Sequence, residues 1–303
     1  MPVVALALGS TNESNSGWNL TPPMLKAAIP ALLMGDLLMM LLYRVRPYEA
    51  VPGSANALFE KWMAYLNETV ATMKLREAKK LYGTIVREFD ELPCVDFGSK
   101  PRVGVVGEIL VKFHPTANNE VVKVIEEEGC EANVPGLVDF FLFGLANRVF
   151  RHQTLVPNKK NDVVFRNLVN YLEHLREPIR KALRDSERFE PFGTIWETAE
   201  GAGEILDLCN TMGEGWLLTG EMVELIKGGT PNIVCAQPFA CLPNHVVGKS
   251  VIKELRRRYP QTNIVAVDYD PGASEVNQLN RIKLMIAVAF SNKEEAEKEA
   301  QAE

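Results

Sequence analysis

Two cysteines lie close together in the segment Ile233-Val-Cys235-Ala-Gln-Pro-Phe-Ala-Cys241-Leu-Pro-Asn244-His245. Its apolar start predicts a buried strand, and the residues after it predict a loop that leads into a helix. Ligands of α/β proteins bind at the carboxyl ends of parallel strands, and thiolates are soft metal ligands. The segment therefore suggests an iron–sulfur cluster or another soft metal.

The spacing of these cysteines does not distinguish metal ligation from a purely structural role. Cys241 lies near the amino end of the predicted helix, where the helix dipole lowers a thiol pKa, whereas Cys235 falls inside the strand. Both could instead be small buried core residues. Cys-x5-Cys is neither a zinc nor a ferredoxin spacing, and two thiolates do not complete a tetrahedral site.

The residues that follow Cys241 offer polar groups to the same site. His245 could donate a hydrogen bond to a cluster sulfide or a substrate carbonyl, or be a structural surface histidine. Asn244 is a good N-cap for the predicted helix, and it could also contact a ligand.

Two glycine-containing turns are further candidates for ligand contact. Glu108 lies at the end of the strand predicted at 102–109 and could face the site or cap a loop. Gly215 opens a predicted helix, where backbone N–H groups could approach an anion or simply form a flexible helix start. The turn before Glu108 is not a dinucleotide fingerprint, because it lacks the G-x-G-x-x-G spacing.

The composition of the 303-residue chain is that of a soluble globular protein, with 47% hydrophobic and 24% charged residues. A net charge of -6 predicts neither nucleic acid nor an anionic membrane as a partner. Five cysteines in a long chain argue against a disulfide framework and favour a reducing, cytoplasmic location. The apolar run 27–45 contains Asp36 and Arg44, so we expect a buried helix there rather than a membrane span.

Hydrophobic periodicity divides the chain into alternating elements. Strands are predicted at 3–8, 102–109, 131–134, 232–236 and 263–267. Helices are predicted at 22–46, 54–92, 119–129, 138–149, 162–183, 213–227, 244–259 and around 279–290. Strands separated by helices predict an α/β fold with a Rossmann-like or flavodoxin-like parallel sheet, helical insertions and a preceding, mainly helical segment.

The same pattern suggests three parts. Residues 1–98 would be a strand plus a helical segment, residues 99–290 a Rossmann-like domain, and residues 291–303 a charged tail. The tail could extend the last helix or be disordered.

Several long motifs together resemble one protein family. They are Tyr43-Arg-Val-Arg-Pro-Tyr-Glu49, Val106-Gly-Glu-Ile109, Asn118-Asn119, Gly213-Glu-Gly-Trp-Leu-Leu218, Gln237-Pro-Phe239, Cys241-Leu-Pro-Asn-His-Val-Val-Gly-Lys249 and Asp268-Tyr-Asp-Pro-Gly272. The chain resembles the carboxy-terminal region of acyl-CoA dehydratase activase-related proteins. That region is similar to the cluster-bearing component of 2-hydroxyacyl-CoA dehydratases and to double-cubane-cluster reductases.

This resemblance implies Rossmann-like domains that hold an iron–sulfur cluster, either [4Fe-4S] or a double cubane. It implies an ATP-hydrolysing activase as the electron donor and an acyl-CoA or another small molecule as the substrate, with oligomerisation possible. It assigns metal ligation to Cys241 first and to Cys235 second. His245, Asn244, Gly215 and Glu108 would contact the cofactor or substrate.

The resemblance also implies that this chain lacks most of the preceding domain, which would carry the other ligands. Residues 1–98 would be the remnant of that domain, the cluster would be incomplete, and the chain by itself would be inactive. Two other functions remain open. The chain could be a non-catalytic docking domain for an activase or partner subunit, or a module that binds CoA or a nucleotide.

Overall fold

A computed structural model describes residues 21–154, 159–270, 272 and 274–302. The helices are α1 Pro22–Val45, α2 Ser54–Thr69, α3 Leu75–Asp90, α4 Ile109–Phe113, α5 Val121–Glu127, α6 Val138–Thr154, α7 Lys159–Arg184, α8 Ile195–Gly203, α9 Gly215–Lys227, α10 Leu242–Asn244, α11 Ile252–Arg258 and α12 Glu275–Ala302. A π-helix, His245–Lys249, lies between α10 and α11. The strands are β1 Arg102–Gly107, β2 Glu131–Asn133, β3 Asn232–Pro238 and β4 Asn263–Tyr269.

The four strands form one parallel sheet in the order β2-β1-β3-β4. This confirms the predicted α/β fold with helical insertions. The strand predicted at 3–8 lies outside the described residues. Because the chain runs from β1 to one neighbour and later returns to the other side of β1, the strand order reverses between β1 and β3. A topological switch point of this kind is where open α/β sheets place their ligands.

Helices cover both faces of the sheet, which explains the apolar strand sequences. Val103 and Val105 pack in a cluster with α5 and α12, whereas Val106 packs in a cluster with α9 and α11. Side chains alternate between the faces of a strand, so the near-continuous valine run of β1 serves both clusters.

The helical segment before the sheet shares a core with the helical insertions after it. Leu38 and Leu41 of α1 are fully buried in one cluster with residues of α6, α7, α8 and α9. Residues 22–48 are long and apolar enough to cross a membrane, and α1 instead presents many of these side chains to the protein core. Residues 291–302 continue α12, one of the two outcomes that the composition allowed.

A buried carboxylate joins this helical layer to the sheet. Glu131, at the start of β2, accepts a hydrogen bond from Tyr48 Oη at 2.9 Å and forms ion pairs with Arg102, at 3.0 Å, and Arg44. Both oxygens of the buried acid therefore have charged or hydroxyl donors, which a buried carboxylate needs.

Gly107 allows the closest contact within the sheet. Its φ is 149°, and a Cβ built on it would lie 1.8 Å from the carbonyl oxygen of Ala236 in β3. Any side chain here would push apart the carboxyl ends of β1 and β3.

We expect Gly107→Ala to destabilise the protein by about 3 kcal/mol or more, because the added methyl group collides with backbone that cannot move aside. The free energy of urea unfolding measures this effect. Gly83→Ala is the matched control, since Gly83 is exposed in α3 with open space around its Cα. The control should gain up to about 1 kcal/mol. Equal stability of the two variants would contradict the packing argument.

Candidate functional site

The carboxyl ends of β1 and β3 lie beside the start of α9 and the helical run that begins at α10. This edge is the switch point of the sheet. We call the group formed by Glu108, Glu214, Cys241, Asn244 and His245 the switch-point cluster.

Cys241 is the thiol that this cluster presents to solvent. It is half-buried and occupies the N-cap position of α10. The helix therefore begins at Leu242, two residues earlier than the predicted start at Asn244. Pro243 explains this start, because a residue without an N–H is tolerated in the first helical turn.

Cys235 is a core residue of β3. It pairs with Ala266 in the sheet, packs in the cluster that contains Leu218 and Val247, and is fully buried. Burial raises the pKa of its thiol to about 12, whereas a metal ligand must be a thiolate. These observations favour the small-hydrophobe interpretation of Cys235. Its role as a second ligand remains a prediction.

Asn244 is buried and joins two other members of the cluster. In the orientation that satisfies both ends of its amide, Nδ2 donates to Glu214 Oε2 at 2.6 Å and Oδ1 accepts from the backbone N–H of Glu108 at 3.0 Å. The same Nδ2 lies 3.5 Å from Cys241 Sγ. Asn244 is therefore an internal crosslink of the site: it occupies the N-cap position of the π-helix, but its side chain makes no capping hydrogen bond.

Glu108 caps α4. Its carboxylate accepts a hydrogen bond from the backbone N–H of Val111 at 2.9 Å, which is the loop-capping alternative left open by the sequence. Its backbone N–H also lies 3.0 Å from the carbonyl oxygen of Ala236. Glu108 thus positions the turn after β1, and its carboxylate forms a hydrogen bond within that turn.

The glycines before α9 lie against protein. A Cβ on Gly215 would lie 2.4 Å from the carbonyl oxygen of Asn210, and one on Gly213 would lie 2.8 Å from Pro243 Cβ. Gly215 is buried, so its small size serves internal packing. This favours the structural alternative over contact with a phosphate.

Glu214, between these glycines, is the residue of the cluster that sequence reasoning missed. It is buried, accepts from Ile109 N at 3.3 Å and from Asn244, and burial raises its carboxyl pKa. An acidic residue between two glycines at the start of an otherwise apolar helix was the signal available in the sequence.

His245 has a defined orientation. Its Nδ1 lies 2.9 Å from the carbonyl oxygen of Cys241, which can only accept, so Nδ1 carries the hydrogen. Nε2 then faces Asp268 Oδ1 at 4.0 Å, and Lys249 Nζ lies 3.6 Å from the other oxygen of Asp268. The π-helix begins at His245 and ends at Lys249, and such helices are rare and frequent at functional sites.

Gln237 holds Asp268 from the other side. It is fully buried at the end of β3 and donates from Nε2 to Asp268 Oδ1 at 2.5 Å. Its Oε1 has no hydrogen-bond partner among the described residues. Gln237 Oε1, at the carboxyl end of β3, is thus a hydrogen-bond acceptor without a donor among the described residues.

No protein-family model, curated protein or solved structure matches the chain. Within the described ranges, no group of three or more His, Cys, Asp or Glu side chains is arranged to hold a metal ion. The described residues therefore do not assemble a complete ligand set for an iron–sulfur cluster. At the switch point, the half-buried sulfur of Cys241 fits the role of one ligand.

The burial of the cysteines predicts how each reacts. In the native protein, iodoacetamide should modify Cys209, which is exposed, and Cys241, which is half-buried. Cys130 and Cys235 should react only after unfolding, since burial raises their thiol pKa values to about 11 and about 12. Mass spectrometry of the alkylated peptides tests this. Rapid native modification of Cys235 would contradict its placement in the core.

Asn244→Asp should destabilise the protein at pH 8 by about 3 kcal/mol, because it places a second carboxylate against buried Glu214. The folded-state pKa of this acid pair is raised above its unfolded value. Its stabilising protonated form is therefore present at low pH and is lost as the pH rises, so the defect should shrink at pH 5. Urea unfolding at both pH values measures it.

The control for this substitution is Asn67→Asp on the exposed surface of α2, which should change stability by less than about 0.5 kcal/mol at either pH. A defect of Asn244→Asp that is independent of pH would show that Asn244 does not face Glu214.

Proposed function

We propose that this chain is part of an iron–sulfur redox protein of the acyl-CoA dehydratase activase-related type, in which Cys241 is the ligand that this chain contributes to a cluster. The observation that carries the proposal is the accessible Cys241 thiol at the switch point of a flavodoxin-like sheet. Thiolates are the ligands that iron–sulfur clusters use, and a switch point is where such sheets bind their ligands.

The surroundings of Cys241 support this role. Asn244 Nδ2 lies 3.5 Å from the sulfur and can donate to it, and hydrogen bonds to ligand sulfurs tune cluster potentials. Glu214 holds this amide in place through a hydrogen bond of 2.6 Å. His245 is anchored on the Cys241 carbonyl, so its ring has a fixed position beside the site.

When bound, the cluster would supply one-electron transfer at low potential. The electron would come from an ATP-hydrolysing activase, and the final acceptor would be an acyl-CoA or another small molecule. The chain's own residues hold one corner of the site: Cys241 provides the sulfur, and Asn244 and Glu214 orient it.

The other ligands would come from a partner domain or subunit, since the described residues group no set of metal ligands around Cys241. Apolar side chains next to Cys241 are suited to such a contact, because Phe239 is 69% exposed, Leu242 is 73% exposed and Met212 is 77% exposed. Gly213 packs against Pro243, which directly follows Leu242. Met212 precedes Gly213, so we include it in this surface. Contiguous exposed apolar residues mark interaction sites. We expect the partner that binds this apolar surface to carry the other cysteine ligands. Docking of a partner and cluster binding would then be two parts of one function.

Anaerobic reconstitution with ferrous iron, sulfide and an excess of 2-mercaptoethanol tests the ligand assignment, since the small thiol can take the place of the partner's ligands. We expect a visible sulfur-to-iron absorption and, after reduction, an EPR signal. Cys241→Ser should lose most of both signals.

Cys209→Ser is the control, because Cys209 is exposed on the loop between α8 and α9. This variant should bind as much iron as the unsubstituted chain. Retention of the cluster in Cys241→Ser, or an equal loss in Cys209→Ser, would refute the assignment of Cys241.

A further inference from the structure

A cavity lies beside the edge strand β2, and no residue of the switch-point cluster lines it. It has a volume of about 170 Å³ and is lined mainly by α1, β2, α7, α9 and the segment 189–192. An apolar protein cavity of about 150 Å³ is large enough to hold benzene. The space beside β2 is therefore suited to one small organic molecule.

Most of the wall of this cavity is apolar. Aliphatic side chains from α1, α7, α9 and the residue that follows β2 form it: Leu33, Leu37, Met40, Val134, Ile179 and Leu225. A ligand that fills the cavity needs a hydrocarbon body to replace water against this wall, because burial of apolar surface provides the favourable free energy.

The lining of the cavity carries more carboxylates than arginines. The three arginines of the lining already hold carboxylates. Arg44 and Arg102 pair with Glu131, Arg102 also pairs with Glu190 at 3.3 Å, and Arg176 pairs with Asp139 at 2.8 Å. The arginines therefore leave three other lining acids, which are Asp36, Glu221 and Glu224.

Two of these acids have neutral partners. Asp36 accepts from the backbone N–H groups of Leu137, at 3.0 Å, and Val138, at 2.7 Å. Glu224 accepts from Gly193 N and Thr198 Oγ1, each at 2.9 Å. In the part of the chain that the structure describes, no Lys or Arg nitrogen lies within 4 Å of either carboxylate.

The third acid has an unused oxygen. Glu221 Oε1 pairs with Lys112 Nζ at 2.8 Å, and the side chain is 5% exposed. Its Oε2 accepts no hydrogen bond from the described residues, and Glu221 lines the cavity. A carboxylate oxygen to which no described protein group donates is suited to accept a hydrogen bond from a ligand.

Burial raises the carboxyl pKa of Asp36 to about 6 and that of Glu221 to about 7, and it raises the pKa of Glu224 as well. The charge of Arg176 opposes the shifts of Asp36 and Glu224 without cancelling them. The positive charges nearby therefore do not balance the negative charge of these three carboxylates, and a bound cation would stabilise their ionised form.

We propose that the cavity beside β2 binds a small organic ammonium ion, whose hydrocarbon body contacts the aliphatic wall and whose N–H groups donate to Glu221, Glu224 and Asp36. An anion is excluded by the surplus of carboxylates. A bare metal ion would leave the apolar wall uncovered, and no metal-holding group is present among the described residues. This inference is independent of the iron–sulfur proposal.

Three probes of one shape test the charge requirement: benzylamine, benzyl alcohol and benzoate. We expect saturable binding of benzylamine by isothermal titration calorimetry and a rise in the melting temperature that increases with its concentration. Benzyl alcohol should bind at least about tenfold more weakly, because it lacks the charge-assisted hydrogen bonds, and benzoate should not bind. Equal binding of the alcohol, or no binding of the amine, would overturn the proposal.

Glu224→Gln tests whether benzylamine binds beside the inner carboxylates, and it should preserve the hydrogen bonds of this side chain. The new amide can keep the Gly193 contact through its oxygen and donate to Thr198 Oγ1, since that hydroxyl also lies 3.2 Å from the Thr194 carbonyl and can donate there. We expect the Kd for benzylamine to rise about tenfold. Glu190→Gln, at the exposed end of the lining, should change the Kd less than about threefold.

An unchanged Kd in Glu224→Gln would overturn the assignment of the inner carboxylates. If that variant does not fold, a crystal structure of the unsubstituted protein with benzylamine decides the matter. The ammonium group within hydrogen-bonding distance of Glu221 or Glu224 would support the proposal, and benzylamine bound elsewhere would refute it.

Discussion

The close approach of β1 and β3 at Gly107 is the constraint on which the candidate site depends. With no side chain at this position, the backbone of β1 reaches the carbonyl oxygen of Ala236, and the two strands end side by side. That junction directs Glu108 into the first turn of α4 and brings the loop after β3 over the same edge. A bulkier residue would separate the elements that carry Glu108 and Cys241.

Once the strand ends meet, the polar groups between them must find partners, because unsatisfied polar groups in the interior are costly. The side chain of Asn244 meets this requirement with two hydrogen bonds. Its Nδ2 donates to the Glu214 carboxylate, and its Oδ1 accepts from the backbone N–H of Glu108. The amide of Asn244 lies beside the sulfur of Cys241, and His245 contacts the Cys241 carbonyl. The proposed redox role rests on this placement of a sulfur beside an amide donor.

The molecule carries buried carboxylates at two separate places, and they have different consequences. At the switch point, Glu214 accepts hydrogen bonds from the backbone N–H of Ile109 and the side chain of Asn244. Beside β2, the surplus of Asp36, Glu221 and Glu224 surrounds an apolar space large enough for a ligand. Glu221 lines that space and pairs with Lys112 through Oε1, so one ion pair connects α4 with the wall of the cavity.

The sequence by itself determined the α/β class, the four described strands and the loop of Cys241, because apolar periodicity, glycine turns and helix signals are local properties of the chain. It did not distinguish a core role for Cys235 from a ligand role, since both require a cysteine near a strand end. It also did not reveal Glu214 or the acids beside β2, whose sequence neighbours are ordinary apolar helix residues. Only the tertiary structure revealed the full burial of Cys235, the contacts of Glu214 and the placement of those acids, because burial and pairing depend on which distant elements pack together. Asn244 shows the difference most directly: a local pattern made it a helix cap, and the neighbouring ends of β1 and α9 made it a crosslink.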